Sequence, residues 1–230
     1  MLLKTYKPED FSKARCVKCS WVLDGYPKSV PRGEKCPNCG ESGYTYFPGN
    51  QSSHILGGLT YFVEVYNTKV KGERNIFPPQ VYVPIIFACS NYETLLADVV
   101  RELMNRYGQY LGRLGHTIIF EEVLSSYDRR ANERLFKMLT LQSVQQAIQD
   151  KFPHYIEDLN ELYKIRNNVV HGNEIDNAEV ALGSANKGID MLLLSVKVFQ
   201  YLHNRYVAKF SENVDYRKIL RLGKHEEFKP

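Results

Sequence analysis

The chain has 230 residues, of which 43% are hydrophobic and 24% are charged, so it is long enough for one large domain or two smaller ones with a real core. No apolar run approaches the ~20 residues that a membrane span needs. Lys4 and Lys7 lie where a signal peptide would have its apolar stretch. These features argue against a membrane or secreted protein, so we expect an intracellular, cytoplasmic chain without a membrane partner.

The formal net charge of +4 is modest, but it is concentrated at the two ends of the chain. Residues 1–50 hold eight Lys or Arg against five Asp or Glu, and residues 201–230 hold seven against four. Basic ends around a near-neutral middle suit a nucleic-acid partner. They are equally compatible with ordinary solvated surface, so charge alone does not decide between the two interpretations.

Four of the five cysteines lie in the first fifty residues, as two C-x-x-C pairs in RCVKCSW and KCPNCGE. Sixteen residues separate the pairs, a spacing typical of a tetrahedral zinc site with four thiolates. Four thiolates fill the coordination sphere, so the predicted ion is structural and stabilises a small zinc ribbon over residues 1–50. The predicted ligands of this single zinc ion are Cys16, Cys19, Cys36 and Cys39.

Other uses of the cysteines explain the pattern less well. A disulfide framework needs an oxidising compartment, for which the sequence has no targeting signal, and a redox C-x-x-C explains one pair but not two. The surrounding aromatic and basic residues can either clamp single-stranded bases or pack as a small core around the metal. These residues are Trp21, Tyr26, Tyr44, Tyr46, Phe47, Lys18, Lys28, Arg32 and Lys35.

Residues 51–80 are predicted to form a linker that contains one or two short strands. The stretch PGNQSSHILGG clusters Gly, Ser, Pro and Asn, as linkers do. The stretch that follows, TYFVEVYNTKVKGERNIFPPQ, is rich in β-branched and aromatic residues and shows little helical period. We assign no function to this segment.

From Val83 the hydrophobic period becomes helical, which predicts a bundle over residues 81–210. A stripe of apolar residues runs down a first helix that ends before Gly108, and Cys89 falls on this stripe as a buried thiol. The stripe consists of Ile85, Cys89, Tyr92, Leu96, Val99, Leu103 and Tyr107. Further predicted elements are helices at 132–152, 155–171 and 178–206 and a basic tail at 211–230. The predicted fold class is mainly α, a helical bundle preceded by a small zinc ribbon.

The third of these helices ends in RNNVVHG, where polar residues flank two valines. At 100° per residue, Asn167 and His171 share a face, whereas Arg166 lies about 140° from His171. Gly172 is suited to the position just after the helix. A cation and a histidine at a helix C-terminus also complement its dipole, so simple capping is one explanation of the cluster.

A second explanation is that RNNVVH resembles the R-x-x-x-x-H motif of the HEPN domain (higher eukaryotes and prokaryotes nucleotide-binding), with Asn167 in the polar position. The resemblance extends to NYETLLADVVRELMNRYG and the long final helix, over about residues 80–210. It implies a metal-independent endoribonuclease whose site forms where two motifs meet across a homodimer. Toxin-like and defence effectors with a regulatory protein partner are common in this family.

The resemblance also implies the roles of the three residues. His171 is the expected acid and base at the ribose 2′-hydroxyl and the leaving oxygen. Arg166 is expected to stabilise the charge that builds up on the phosphate oxygens, and Asn167 to orient a hydrogen bond. The alternative is a non-catalytic HEPN-like module that binds RNA, a nucleotide or a protein. Glu93 is expected to be a solvated surface acid, and the other histidines surface or core residues.

Overall fold

The structure is a computed structural model that describes residues 2–25, 30, 33–72, 82–111, 128–171 and 178–214. It is mainly helical, with a three-stranded antiparallel sheet near the N-terminus, in the order β2-β1-β3. The first elements are α1 (Pro8–Phe11), β1 (Lys13–Cys16), β2 (Val22–Leu23) and β3 (Tyr44–Phe47). The helices that follow are α2 (Asn50–Gly72), α3 (Val83–Leu111), α4 (Arg129–Thr140), α5 (Val144–Ile148), α6 (Tyr155–Val170), α7 (Ala178–Leu202), a π-helix (His203–Ala208) and α8 (Phe210–Asn213).

Helix α3 is the central element, and it packs most extensively against α7 and also contacts α2, α4 and α6. All seven residues of the predicted stripe are buried. The helix continues through Gly108 to Leu111, four residues beyond its predicted end. A mainly α fold with a central helix is therefore confirmed.

Helix α3 is also long and apolar enough to cross a membrane over Val83–Gly108, judged by length and composition alone. This corrects the expectation that the chain contains no such run. Within the protein, however, 67% of the most apolar window is buried. Neighbouring helices cover the apolar side chains, so α3 has the environment of a core helix.

The prediction of a linker with strands over residues 51–80 is wrong for the part that the structure describes, because residues 50–72 form α2. Leu56, Leu59, Val63 and Tyr66 recur at helical spacing and are all buried. Burial of this stripe against the bundle outweighs the weak helix propensity of the Gly, Ser and β-branched residues around it. Residues 73–81 lie outside the described part of the chain.

The helix predicted over residues 132–152 is divided in two. Helix α4 ends at Thr140, and the next residue, Leu141, caps it with a left-handed backbone whose φ is 62°. Helix α5 then begins after Ser143, whose hydroxyl accepts from the backbone N–H of Gln146 at 3.2 Å. The Gln146 side chain accepts from the Ser143 N–H at 2.9 Å in return. This capping box favours a new helix over continuation of the old one.

Helices α6 and α7 match the predictions at 155–171 and 178–206 closely, except that α7 ends at Leu202 and a π-helix follows. Helix α7 passes close to the start of α3 at Gly188, where a Cβ atom would lie 3.1 Å from Ile85 N. Of the predicted basic tail, residues 211–213 belong to α8 and Val214 is buried. Residues 215–230 lie outside the described part.

The cysteine-bearing segment shares its core with the bundle. Phe47 packs edge-on against His203, with ring centroids 5.1 Å apart. The Asn204 amide pairs with both the N–H and the carbonyl of Val22, at 2.6 Å and 2.8 Å. The sheet is therefore held directly against the C-terminal end of the bundle.

Candidate functional site

The two C-x-x-C pairs come together into one cluster. The Sγ atoms of Cys16 and Cys39 lie 3.7 Å apart, and those of Cys19 and Cys36 lie 3.6 Å apart. All four sulfurs lie within 4.8 Å of one another, and all but Cys39 are buried. Cys16 ends β1, and the sheet fixes it opposite Tyr44 of β3. The predicted convergence of the four cysteines is confirmed.

Each pair is held by a tight turn of the backbone. The N–H of Ser20 donates to the carbonyl of Cys16 at 3.0 Å, and Gly40 N–H donates to Cys36 O at 2.8 Å. Both turn residues have positive φ angles, 65° and 72°. Gly40 adopts this conformation without steric cost, as the sequence predicts. These turns direct the two sulfurs of each pair towards a common point.

The spacing of the sulfurs fits a tetrahedral metal ion. With metal–sulfur bonds of about 2.3 Å, the edges of the tetrahedron measure ~3.8 Å, close to the two shortest sulfur–sulfur distances. The four cysteines can therefore hold one ion. The fifth cysteine is not part of this cluster. Cys89 is buried on α3, where loss of solvation raises the pKa of its thiol to about 12.

A polar pocket of about 730 Å³ opens on the other side of the bundle, between α3, α4 and α6. Arg166 and Asn167, two of the three residues of the R-x-x-x-x-H motif, line it. The remaining lining residues are Glu93, Asp128, Arg129, Arg130, Glu133, Asn160 and Tyr163. The pocket thus combines three arginines with three acids.

Arg129 is fixed in this pocket by several partners. Its guanidinium contacts Glu133 at 2.8 Å and Asn160 Oδ1 at 2.8 Å. It also lies over the ring of Tyr163, 4.3 Å from the centroid. Burial disfavours the charged guanidinium, but the hydrogen bond and charge of Glu133 outweigh this and raise the pKa of Arg129. Arg129 is therefore a structural cation with its donors largely occupied.

Glu93 lies in the same pocket, half-buried, and accepts a hydrogen bond from the Tyr163 hydroxyl at 2.9 Å. The expectation that Glu93 is a solvated surface acid is therefore wrong. The same hydroxyl lies 3.2 Å from the Cys89 carbonyl. Burial, followed by the charge of Glu93, raises the pKa of Tyr163 well above its ordinary value, so the phenol stays protonated and donates.

Arg166 differs from Arg129 because its donors are largely unengaged. Its side chain is half-buried, and its buried Nε has no hydrogen-bond partner among the described residues. Its one described hydrogen bond is a long contact of 3.4 Å from Nη1 to Asn167 Oδ1. An unpartnered buried donor costs about 1–3 kcal/mol. Such a donor beside a pocket is what a site for an anionic ligand requires.

His171 does not line the pocket. It caps α6, its backbone N–H donates to Asn167 O at 3.0 Å, and its side chain is exposed. Val170 beside it is also exposed, at 58%, although the apolar pattern of the helix suggests an inward position for this valine. One chain therefore brings together Arg166 and Asn167 but not His171. Gly172, the predicted residue after the helix, lies outside the described part.

Six residues of the pocket are not singled out by the sequence: Asp128, Arg129, Arg130, Glu133, Asn160 and Tyr163. Arg129 and Glu133 are four residues apart, the spacing of an ion pair on one helix face. Asp128 before them is a standard N-cap residue, and its carboxylate accepts from the N–H of Arg130 at 2.7 Å. These signals predict a helix start with an ion pair. They do not indicate that it faces Arg166.

No family model matches this chain, and no curated protein or solved structure matches it either. The resemblance to the HEPN domain therefore rests on the residues of the motif, Arg166, Asn167 and His171, and on their position at the end of a bundle helix. Any assignment of function depends on the chemistry of the polar pocket and the cysteine cluster.

Proposed function

We propose that the chain is an endoribonuclease of HEPN type that cleaves RNA at a composite site between two identical subunits. The observation that carries the proposal is the state of Arg166. It lies at a polar pocket with a buried donor that no described residue accepts from. A phosphate of RNA in the pocket can accept paired hydrogen bonds from the terminal nitrogens of the guanidinium.

The proposed reaction is attack of the ribose 2′-oxygen on the adjacent phosphorus. The P–O2′ bond forms and the P–O5′ bond breaks, which gives a 2′,3′-cyclic phosphate and a free 5′-hydroxyl. His171 of one subunit takes the proton of the 2′-hydroxyl as base, and the imidazolium formed in this way delivers a proton to O5′ as acid. Arg166 stabilises the charge on the non-bridging oxygens, and Asn167 orients the arginine. This route uses no catalytic metal.

The positions of the motif residues support a homodimer. Arg166 lies on α6 and His171 caps this helix five residues later, and only the arginine lines the pocket. The exposed His171 is available to a second subunit, and the exposed Val170 beside it offers apolar area for the contact. In a twofold arrangement, His171 of one subunit meets Arg166 of the other.

A second candidate is a non-catalytic HEPN-like module that binds RNA, a nucleotide or a protein partner. The separation of His171 from the pocket within one chain favours it. The pocket also holds Glu93, Asp128 and Glu133, which lower its net affinity for polyanions. In this case Arg166 binds the ligand, and the ligand is not cleaved.

For the cysteine cluster we propose one structural zinc ion. Zinc prefers four thiolates in tetrahedral geometry, and such a closed set leaves no position for water or substrate. A cytoplasmic location, where thiols stay reduced, agrees with this ligand set. A role as a toxin-like or defence effector, held in check by a regulatory protein, belongs to the same proposal.

The test is cleavage of single-stranded and structured RNA by the purified protein in brief EDTA, with analysis of the product ends. We expect cyclic-phosphate ends, and loss of cleavage in both Arg166→Ala and His171→Ala. Lys164→Ala, an exposed residue on the same helix, is the matched control and should cleave normally. Binding of RNA without cleavage by the native protein supports the second candidate instead.

Mixing the two inactive variants tests the composite site directly. A dimer of one Arg166→Ala chain and one His171→Ala chain keeps one complete arginine–histidine pair. After subunit exchange, random pairing restores about a quarter of the native activity. If the mixture stays inactive although exchange is confirmed by mass spectrometry, the two residues do not act across subunits.

A further inference from the structure

A second concave surface, which we call the junction groove, lies where the sheet meets the C-terminal end of the bundle. It has a volume of about 800 Å³, within the range of ligand clefts. The sheet contributes Lys13, Trp21 and Asp24 to one wall. The turn before α6 and the segment from α7 to α8 provide the rest. It does not share a lining residue with the polar pocket.

The charge of the junction groove is strongly positive. Five of its lining residues are Lys or Arg and two are acidic. Both acids are already paired: Asp24 with Lys13 at 2.7 Å and Glu212 with Lys209 at 3.3 Å. The three unbalanced cations are Lys151, Lys197 and Arg205.

These three cations have no acidic partner within ion-pair distance among the residues that the structure describes. The Arg205 guanidinium donates to neutral oxygens, the Ala147 carbonyl at 3.0 Å and the Tyr201 hydroxyl at 2.7 Å. Lys151 and Lys197 are both exposed. Asp24 acts on Lys197 only at longer range, so an anionic ligand in the groove displaces no direct ion pair from these three cations.

Aromatic rings alternate with the cations. Trp21, Phe152 and Tyr201 line the groove and are half-buried, so part of each ring is accessible. Lys209 lies 6.0 Å from the Trp21 ring, and Lys151 lies 5.1 Å from the Tyr201 ring. Phe152 and Tyr201 support each other edge-on, with centroids 6.1 Å apart. Rings held in this way can stack on bases without large loss of side-chain entropy.

We propose that the junction groove binds single-stranded RNA, with Lys151 and Lys197 on phosphates and Trp21 and Tyr201 stacked on bases. Accessible rings between unpaired cations in a concave surface are what single strands require. Duplex RNA hides its bases and is bound by shape and backbone contacts instead, which makes no use of these rings. The choice of RNA over DNA rests on the proposed function. The stacking and charge arguments for a single strand are independent of that function.

The groove depends on the cysteine cluster for one wall. Trp21 packs against the cluster, and Asn204 of the π-helix holds Val22 through two hydrogen bonds. The Gln200 amide also donates to the Asp24 carboxylate at 3.2 Å. Binding in the groove is therefore coupled to the metal-stabilised sheet, which gives that sheet a role beyond its own folding.

Trp21 is the only tryptophan of the chain, so its fluorescence reports on the groove directly. The experiment is titration of the His171→Ala full-length chain with a labelled mixed-sequence single-stranded RNA, following both the anisotropy of the label and Trp21 emission. We expect anisotropy and Trp21 quenching to give the same affinity. Inorganic polyphosphate should bind the lysines without the quenching that a stacked base produces.

Charge reversal at Lys151 and Lys197 (K151E/K197E) should weaken binding by about tenfold or more and reduce the salt slope of log K by at least ~1.4. K69E/K137E, which changes two exposed lysines outside the groove, is the matched control and should bind nearly normally. Trp21→Leu should weaken binding by roughly tenfold. Trp21→Phe should retain most of the RNA binding, and it should contain as much metal as the native chain.

Equal affinity of the K151E/K197E and control variants, equal affinity for duplex RNA, or an absence of Trp21 quenching each overturns the proposal. The measurement uses a variant that lacks His171, so it is independent of cleavage. Groove binding by a native chain that does not cleave RNA would refute the endoribonuclease and leave the groove in place. Cleavage that is unaffected by K151E/K197E at all RNA concentrations would refute RNA binding in the groove and leave the endoribonuclease in place.

Discussion

The hydroxyl of Tyr163 lies 2.9 Å from Oε1 of Glu93 and fastens α6 to α3 one helical turn before Arg166. It also lies 3.2 Å from the Cys89 carbonyl, so one phenol bridges two groups of α3. Arg129 covers the ring of the same tyrosine. The position of Arg166 therefore depends on a network of side chains from three helices.

Replacement of Tyr163 by Phe tests this network. The ring and its contact with Arg129 remain, but Glu93 loses its donor. We expect a loss of about 1 kcal/mol in unfolding free energy, measured by urea denaturation. RNA cleavage should fall further than stability accounts for, while Trp21 quenching by RNA in the junction groove is unchanged. Normal cleavage by Tyr163→Phe would show that the tyrosine does not position Arg166.

Removal of the metal should destabilise the whole chain and not only its first fifty residues. Phe47 and Val22 belong to the same core as the bundle helices. We expect Cys16→Ser to lose the ion and to lower the free energy of unfolding by at least ~3 kcal/mol, equivalent to roughly 6–12 °C in melting temperature. Calorimetry and metal analysis measure both quantities.

The matched control is Cys89→Ala, because Cys89 is buried outside the cluster. It should keep one ion per chain, although its cavity also costs some stability. A metal-free Cys16→Ser chain in which the bundle melts at the native temperature would contradict the coupling between the sheet and the bundle.

Two glycines of α7 should respond to alanine in opposite directions. At Gly188 a Cβ atom would lie 3.1 Å from backbone atoms of Pro84 and Ile85, which cannot move independently. We therefore expect Gly188→Ala to cost about 1–3 kcal/mol, as overpacking does. At Gly183 nothing lies within 4 Å of the added atom, so alanine should stabilise the helix by about 0.5–1 kcal/mol. Urea denaturation of both variants gives the comparison.

His203 should make the protein sensitive to mild acid. Burial, with smaller effects of Arg15 and Arg106, lowers the pKa of His203 to about 3. In the unfolded chain the pKa is near 6.5, so below that pH only the unfolded state takes up the proton. The stability contributed by the neutral ring is complete above pH 6.5 and declines as the pH falls towards 3.

We expect His203→Leu to remove this pH-dependent contribution to the free energy of unfolding. The difference in unfolding free energy between the native protein and the variant should change by about 1.4 kcal/mol between pH 7.5 and 5.5. Comparison at each pH cancels the acid sensitivity of the metal site, which both proteins share. His154→Gln, a substitution of an exposed histidine, is the control. Parallel stability curves for the native protein and His203→Leu would show that His203 does not titrate as proposed.

Features that depend on near neighbours in sequence could be predicted from the sequence. The two C-x-x-C pairs form their turns within a few residues, and their sulfurs meet as expected. The α3 stripe is buried at all its predicted positions, because residues at helical spacing lie on one face of a continuous helix. The capping box at Ser143 and Gln146 is equally local, but the apolar pattern continues through it and predicts one unbroken helix.

Features that depend on distant partners could not be predicted. Tyr163 and Glu93 are 70 residues apart, and Arg129 and Asn160 are 31 apart. No local pattern indicates that these residues converge on Arg166. Helix α2 shows the same difficulty, because its Gly, Ser and β-branched residues favour other structures until α3 covers its apolar stripe.

The sequence by itself determined the mainly α fold, the four-cysteine cluster and the helix that carries Arg166 and His171, because spacing along a chain fixes which side chains share a turn or a face. Tertiary structure alone decided that Arg166 faces a pocket with Glu93 and Arg129 while His171 remains outside it. It also brought Trp21 and Tyr201 to the same groove. The physical reason is that packing energies between helices, and not local propensities, select which distant residues meet.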